Sequence, residues 1–194
     1  IKGEGKMLRD RYEFLTGSYE DGEKFEATPA GKYFGRIFEI IWSEHKTGCY
    51  PIIKFIIEAR DCSNDKQLQI FREELKRKES VGEIDLSDLK SKVSTLEKKI
   101  AALPKYRVIK AHYMKPDNKS SLFFLNNDLE LLNKERVNPQ TSEFWDDLEA
   151  ALNNTIGDKI ELEVKIEKSG DKEYTRVEFI RLLVKGKGGQ IQEE

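Results

Sequence analysis

Two cysteines, two histidines and five prolines in 194 residues leave little material for the chemistry that small side-chain clusters carry. Cys49 and Cys62 fall near opposite ends of one extended apolar stretch, about 40 Å apart at the rise of a β-strand, too far for a disulfide. They read as reduced thiols, the state expected in the cytosol. His45 and His112 stand in none of the zinc spacings, since CxxC, HxxxH and HExxH are all absent. No metal and no cofactor is expected. No apolar run approaches the roughly 20 residues that cross a bilayer, and no charged segment followed by an apolar one opens the chain. The expectation is a cytoplasmic protein with no membrane partner. Phosphate-binding GxxxxGK loops and GxSxG elbows are missing too, so no catalytic residue is assigned and the chain reads as a binder, not an enzyme. Glu143, Asp146, Asp147 and Glu149 cluster on one helix, but two-metal chemistry needs carboxylates converging from several elements. They read instead as dipole partners and solvated surface.

Charge, by contrast, is abundant. Charged residues make up 36% of the chain and hydrophobic residues 38%, with a mean hydropathy of -0.66, as in a folded, heavily charged globular protein. The net charge of -2 hides an asymmetry: Lys66 to Lys119 holds 14 Lys and Arg against 8 Asp and Glu, and Asn126 to Glu163 holds 3 against 10. A basic middle beside an acidic later segment suits an anionic partner meeting one face.

The pattern of apolar residues supplies the elements. Residues 1–30 form a lead-in, with helical spacing at Leu8, Tyr12 and Leu15 and then turn formers. From Lys32 to Trp42 both alternate sets are apolar, which predicts a strand buried on both faces, with Trp42 in the core. The loop SEHKTG reverses the chain into a second strand whose inward set is Ile53, Phe55, Ile57 and Ala59. Its outward set is Tyr50, Ile52, Lys54, Ile56, Glu58 and Arg60. At Asn64 the period changes: Leu68, Phe71 and Leu75 mark one helical face, and Leu89, Val93, Leu96, Ile100 and Leu103 repeat at 4, 3, 4 and 3. Residues 64–104 thus read as a helical hairpin, its second helix begun by Asp85 or Ser87 and stopped by Pro104. Tyr106 to Lys115 returns to strand character, and SLFFLNNDLELLN to a short helix or a strand leading into one. Thr141 to Ile156 predicts a helix capped by Ser142 and stopped at Gly157, with Phe144, Leu148, Ala151 and Leu152 on its apolar face. A closing hairpin follows, with Ile160, Leu162, Val164 and Ile166 inward on its first strand and Tyr174 to Val184 as its second. Residues 185–194, rich in glycine, read as a flexible tail.

Strand, strand, inserted helical hairpin, strand, helix, strand, strand is the connectivity of an OB-fold, a five-stranded Greek-key barrel. Residues 31–184 would form that domain, within an overall α+β class. An α+β sandwich with helices on one open sheet is the competing architecture. The segments FEATPAGKYFGRI, HKTGCYPIIKFIIEA and NNTIGDKIELEVKIEKSGDKEYTRVEFI carry Pro29, Gly31 and Tyr33, then Thr47 and Gly48, then Ile156, Gly157 and Lys159. In these positions the chain resembles bacteriophage single-stranded-DNA-binding proteins of the OB-fold class, a likeness that covers about half the chain and omits the helical hairpin. The resemblance implies a protein that coats single-stranded DNA in replication or recombination, with replication or recombination proteins as further partners.

Single-strand binding needs a cationic groove and flat rings on which bases stack. On an OB barrel the groove crosses the second and third strands between two flanking loops. The candidates are therefore His45 and Lys46 in the first loop, Tyr50, Lys54 and Arg60 on the second strand, Tyr106, Lys110 and His112 on the third, and Lys172, Tyr174 and Arg176 beside the last turn. The even-numbered set is taken as outward on the third strand because Ile109, Ala111 and Tyr113 form a more apolar face. A one-residue shift would expose Arg107, Tyr113 and Lys115 instead. The hairpin is open to three readings: an arm carrying Lys76, Arg77, Lys78, Lys98 and Lys99 to nucleic acid, a device for homo-oligomers or partner recruitment, or a self-contained pair that buries its own seam.

Overall fold

A computed structural model of the chain describes residues 28–45, 50–83, 85–115, 118, 120–170, 172–189, 192 and 193. The lead-in helix expected around Leu8 to Leu15, and Lys46, Thr47, Gly48 and Cys49, lie outside them. The order is β1 (Gly31–Glu44), β2 (Pro51–Asp61), α1 (Asp65–Ser80), α2 (Ser87–Ala101), β3 (Lys105–Tyr113), α3 (Ser120–Leu131), α4 (Phe144–Asn153), β4 (Lys159–Ser169), β5 (Lys172–Val184) and β6 (Gln192–Glu193). Two helices, not one, separate β3 from β4.

The sheet runs β3-β2-β1-β4-β5, antiparallel at every step, with β6 added parallel to β1. The hydrogen-bonded path is open, with β3 and β5 as its two ends. Curvature nevertheless brings those ends together: the Lys110 ammonium on β3 lies 4.2 Å from the Phe179 ring centre on β5. The same ring meets Phe55 of β2 edge-on at 5.7 Å. Contacts of this kind between strands far apart in the ladder arise when a sheet coils over its own inner face.

That inner face holds the main core. Ile37, Ile40, Ile53, Phe55, Ile57, Ile160 and Leu162 are wholly buried, and Leu125, Leu129, Leu132, Leu148 and Leu152 of the α3–α4 region close over them. Each such side chain contributes about 1.5–3 kcal/mol by leaving water. The inward set expected for β2 is the one observed. On β1 the register shifts between Ile37 and Glu39. Tyr33 and Ile37 point inward before that bulge and Ile40 after it, while Phe38 is turned out and half exposed. A bulge changes which parity faces the core, and this is why both alternate sets looked buried. Gly35 has its own reason: a β-carbon there would sit 2.6 Å from Ile57 Cγ2 and 2.9 Å from Leu162 Cδ2. Ile166, expected inside, is half exposed because β4 runs past the end of its pairing with β1 at Val164.

The hairpin α1–α2 has a core of its own, with Leu68, Val93 and Ile100 buried against Phe71 and Leu96. Asp85 accepts from the Ser87 hydroxyl at 2.7 Å as α2 begins. Ser142 does not cap α4: that helix starts at Phe144 behind Glu143, with no side-chain cap.

Beyond Val184 the chain does not trail away at once. Gly188 N donates to Ile156 O at 3.0 Å and Gly189 N to Asn153 O at 2.9 Å, and Gly186 N donates to the buried Asp158 carboxylate. Lys134 pairs with that carboxylate at 2.9 Å. A β-carbon on Gly186 would meet the Asp158 backbone nitrogen at 2.4 Å, so this approach requires glycine. The segment expected to be a free tail is held against the α4–β4 turn, and it hands the chain to β6 beside Ile41 and Trp42.

Candidate nucleic-acid interface

The register between β2 and β3 decides which side chains face outward. Ile53 lies opposite His112, Phe55 opposite Lys110, Ile57 opposite Val108 and Ala59 opposite Tyr106. Directly opposed residues share a face, so the inward set of β2 carries the even-numbered set of β3 inward with it. The expectation for Tyr106, Lys110 and His112 is thereby corrected. Tyr106 packs edge-on against Tyr33 at 5.6 Å. Lys110 Nζ donates to Asp128 Oδ1 at 2.8 Å, and His112 Nε2 lies 2.8 Å from Asp128 Oδ2. Burial pushes the Lys110 ammonium below the ordinary lysine range, and the Asp128 charge pulls it part of the way back. These groups tie β3 to α3.

The remaining candidates divide. Tyr50 is buried, stacked on His45 at 4.6 Å and 11°, so it offers no open ring, because its face is already taken by the imidazole. Lys54 is half buried on the outer face between Ile41 and Ala111. Tyr174 is about half exposed. Arg176 is exposed and paired with Glu167 at 3.1 Å and Glu178 at 3.0 Å, and Lys172 opens β5. Of the described candidates, Arg60 lines a concave site.

That site is a groove of about 320 Å³ on the outer face of the sheet. The row Phe34, Arg60, Lys105 crosses β1, β2 and β3, and the next row is Arg36, Glu58, Arg107. Lys159 of β4 stands opposite Arg36, and Leu183 and Val184 of β5 complete the lining. The Arg60 guanidinium lies 5.5 Å from the Phe34 ring centre and is held by Asp65 through contacts of 2.5 and 2.7 Å. Hydrogen bonding to Asp65 raises its already high pKa, so it stays a cation. Arg107, in the next row, pairs with Glu39 at 3.6 Å. Among the described residues, Arg36, Lys105 and Lys159 have no ion-pair partner. Among the described residues of its lining, the groove gathers three exposed cations without ion-pair partners, one clamped arginine and one ring, against Glu58 as the carboxylate.

Such an arrangement can hold phosphates electrostatically and present a ring face to a base. Phe34, Arg36, Lys105 and Lys159 were not among the candidates. Arg36 and Phe34 were legible as residues alternating with Tyr33 and Ile37; what hid them was the apolar character of both β1 sets. Lys159 stood out in the sequence only as one of the positions that carry the resemblance. Among the described residues no group of three or more His, Cys, Asp or Glu side chains is placed to hold a metal ion, and no described helix is long and apolar enough to cross a membrane. No protein-family model, no curated protein and no solved structure matches this chain.

Proposed function

We propose that the protein coats single-stranded DNA on the outer face of β1, β2 and β3, as a phage-type binding protein serving replication or recombination. On this reading the coiled sheet is an OB-type barrel with the helical hairpin inserted between its second and third strands. Three features support the fold assignment: the strand order β3-β2-β1-β4-β5, a helix preceding β4, and the approach of β3 to β5 through Lys110 and Phe179. The observation that carries the function is the groove, where Arg36, Lys105 and Lys159 stand beside Phe34 with no ion-pair partner among the described residues. Each phosphate neutralised there releases counterions, and each base stacked on a ring adds about 1–3 kcal/mol without reading its edge. Little sequence preference follows.

Fluorescence polarisation with labelled oligo-dT tests this directly. Binding at micromolar protein in low salt should weaken steeply as salt rises, and Arg36→Glu combined with Lys159→Glu should reduce affinity by at least about tenfold. A wild-type protein that fails to bind oligo-dT in low salt would sink the reading. The alternative, an interaction module that oligomerises through the hairpin, has less support. Val93 and Ile100 of its a/d seam are already buried against Leu68 of the same chain, with Leu96 packed on them.

A further inference from the structure

Arg60 and Lys105 line two hollows at once. One is the groove just described; the other, of about 430 Å³, lies where the hairpin meets the sheet, with Leu68, Ile100 and Leu103 as apolar lining and Arg72 and Glu97 beside them. The two hollows therefore adjoin along the Arg60–Lys105 row. Both arginines of the second are tied to carboxylates, Arg60 to Asp65 and Arg72 to Glu97 at 2.6 Å. The second of these ties is open to water, with the Arg72 and Glu97 side chains 54% and 45% exposed. Exposed pairs of this kind add little to a fold, so a phosphate competing for Arg72 meets little opposition.

The charge pattern of the hairpin points the same way. Glu74, Glu79, Glu83 and Asp88 are each answered by a lysine of the hairpin itself. Lys66, in the first turn of α1, and Lys98 and Lys99, in the last turn of α2, have no ion-pair partner among the described residues. Both turns adjoin the sheet. The uncompensated charge of the hairpin foot is therefore positive, next to a hollow that already opens on the groove.

We propose that the hairpin foot is the second wall of one continuous track for a single-stranded polynucleotide. The strand passes from the groove over Arg60 and Lys105 into the hairpin hollow, where Arg72 exchanges Glu97 for a phosphate, so that the hairpin lengthens the footprint. This rests on the single-strand reading above and adds to it a path and a direction.

The test uses the full chain and labelled oligo-dT of two lengths, about 4 and about 16 nucleotides, the range of site sizes for one OB-type fold. Arg72→Gln and Glu97→Gln break the same ion pair. If that pair only props the hairpin, both variants move affinity in the same direction. If the track exists, the two move in opposite directions: Arg72→Gln weakens the long oligonucleotide roughly fivefold and lowers its salt slope by about 0.7, whereas Glu97→Gln, which frees the guanidinium, strengthens it. The short oligonucleotide, satisfied by the groove, keeps its affinity in both. Denaturation midpoints near wild type establish that the variants are folded. Same-direction shifts, equal shifts at both lengths, or no shift for the long oligonucleotide overturn the track while the groove reading stands. Wild-type protein that binds neither length sinks the groove reading, and the track falls with it.

Discussion

One sheet presents cations on both of its faces, and their circumstances are opposite. Inside, Lys110 is partly buried against Phe179 and answered by Asp128, which also receives His112. Outside, Arg36, Lys105 and Lys159 are exposed around Phe34, with no ion-pair partner among the described residues. A buried charge survives only with a partner that offsets its lost hydration. A solvated cation without a partner keeps its counterions until a polyanion displaces them. The presence of lysine or arginine on a strand therefore says little about binding. Which side of the pleat it occupies, and whether a carboxylate waits there, separates a structural cation from a recruiting one.

The sharpest way to break this comparison is to remove the inner counter-charge. Asp128→Ala leaves the inward-turned Lys110 and His112 without their shared carboxylate and should lower unfolding free energy by about 3–5 kcal/mol, measured by urea denaturation. A loss within about 0.5 kcal/mol, the range of ordinary surface substitutions, would mean that Lys110 is not held as described. Arg36→Glu with Lys159→Glu should lie within that small range, though it weakens binding by at least about tenfold.

Two aromatic rings give a smaller, paired contrast. Phe34→Ala on the outer face should cost about 1–3 kcal/mol of oligonucleotide binding. Tyr106→Ala, whose ring packs on Tyr33 inside, should cost roughly 2 kcal/mol of stability instead. The affinity of the fraction still folded should stay near wild type. If Tyr106→Ala weakens binding of folded protein as much as Phe34→Ala does, the two faces have been exchanged.

How far these faces were legible depended on what each strand's neighbours contribute. The hairpin from Asp65 to Ala101 was visible because Leu68, Val93 and Ile100 keep a helical period and pack locally. Ile53, Phe55, Ile57 and Ala59 were visible as an inward set because β2 is central and its alternation is clean. On β3 the residues themselves mislead: Ile109 is apolar yet half exposed, while His112 is polar yet buried and Lys110 is turned inward and partly buried. Only the register with β2 and the arrival of Asp128 from α3 resolve that strand, and both depend on residues distant in sequence. The β1 bulge had the same effect, hiding Phe34 and Arg36 behind an apolar run that changes parity midway. The groove joins β1, β2, β3, β4 and β5, so no single segment announces it.

The smallest expected effect concerns the inner lysine's proton. Burial holds the folded ammonium of Lys110 below its ordinary value, with Asp128 offsetting part of that shift. In the unfolded chain the group returns to the ordinary lysine value. Between the two, the unfolded state binds more protons than the folded one, so on account of this group stability rises with pH across that alkaline window. Below it, where both states carry the charge, the burial penalty is fully present. Lys110→Met removes the titrating group and leaves His112 on Asp128. The difference in unfolding free energy between wild type and Lys110→Met should therefore drift toward wild type as pH rises from neutral into the alkaline range, by less than about 1.4 kcal/mol per pH unit. A drift of the opposite sign would mean that the attraction of Asp128 outweighs desolvation. The inner cation would then be stabilised by its site, and the contrast with the outer face would rest on exposure alone.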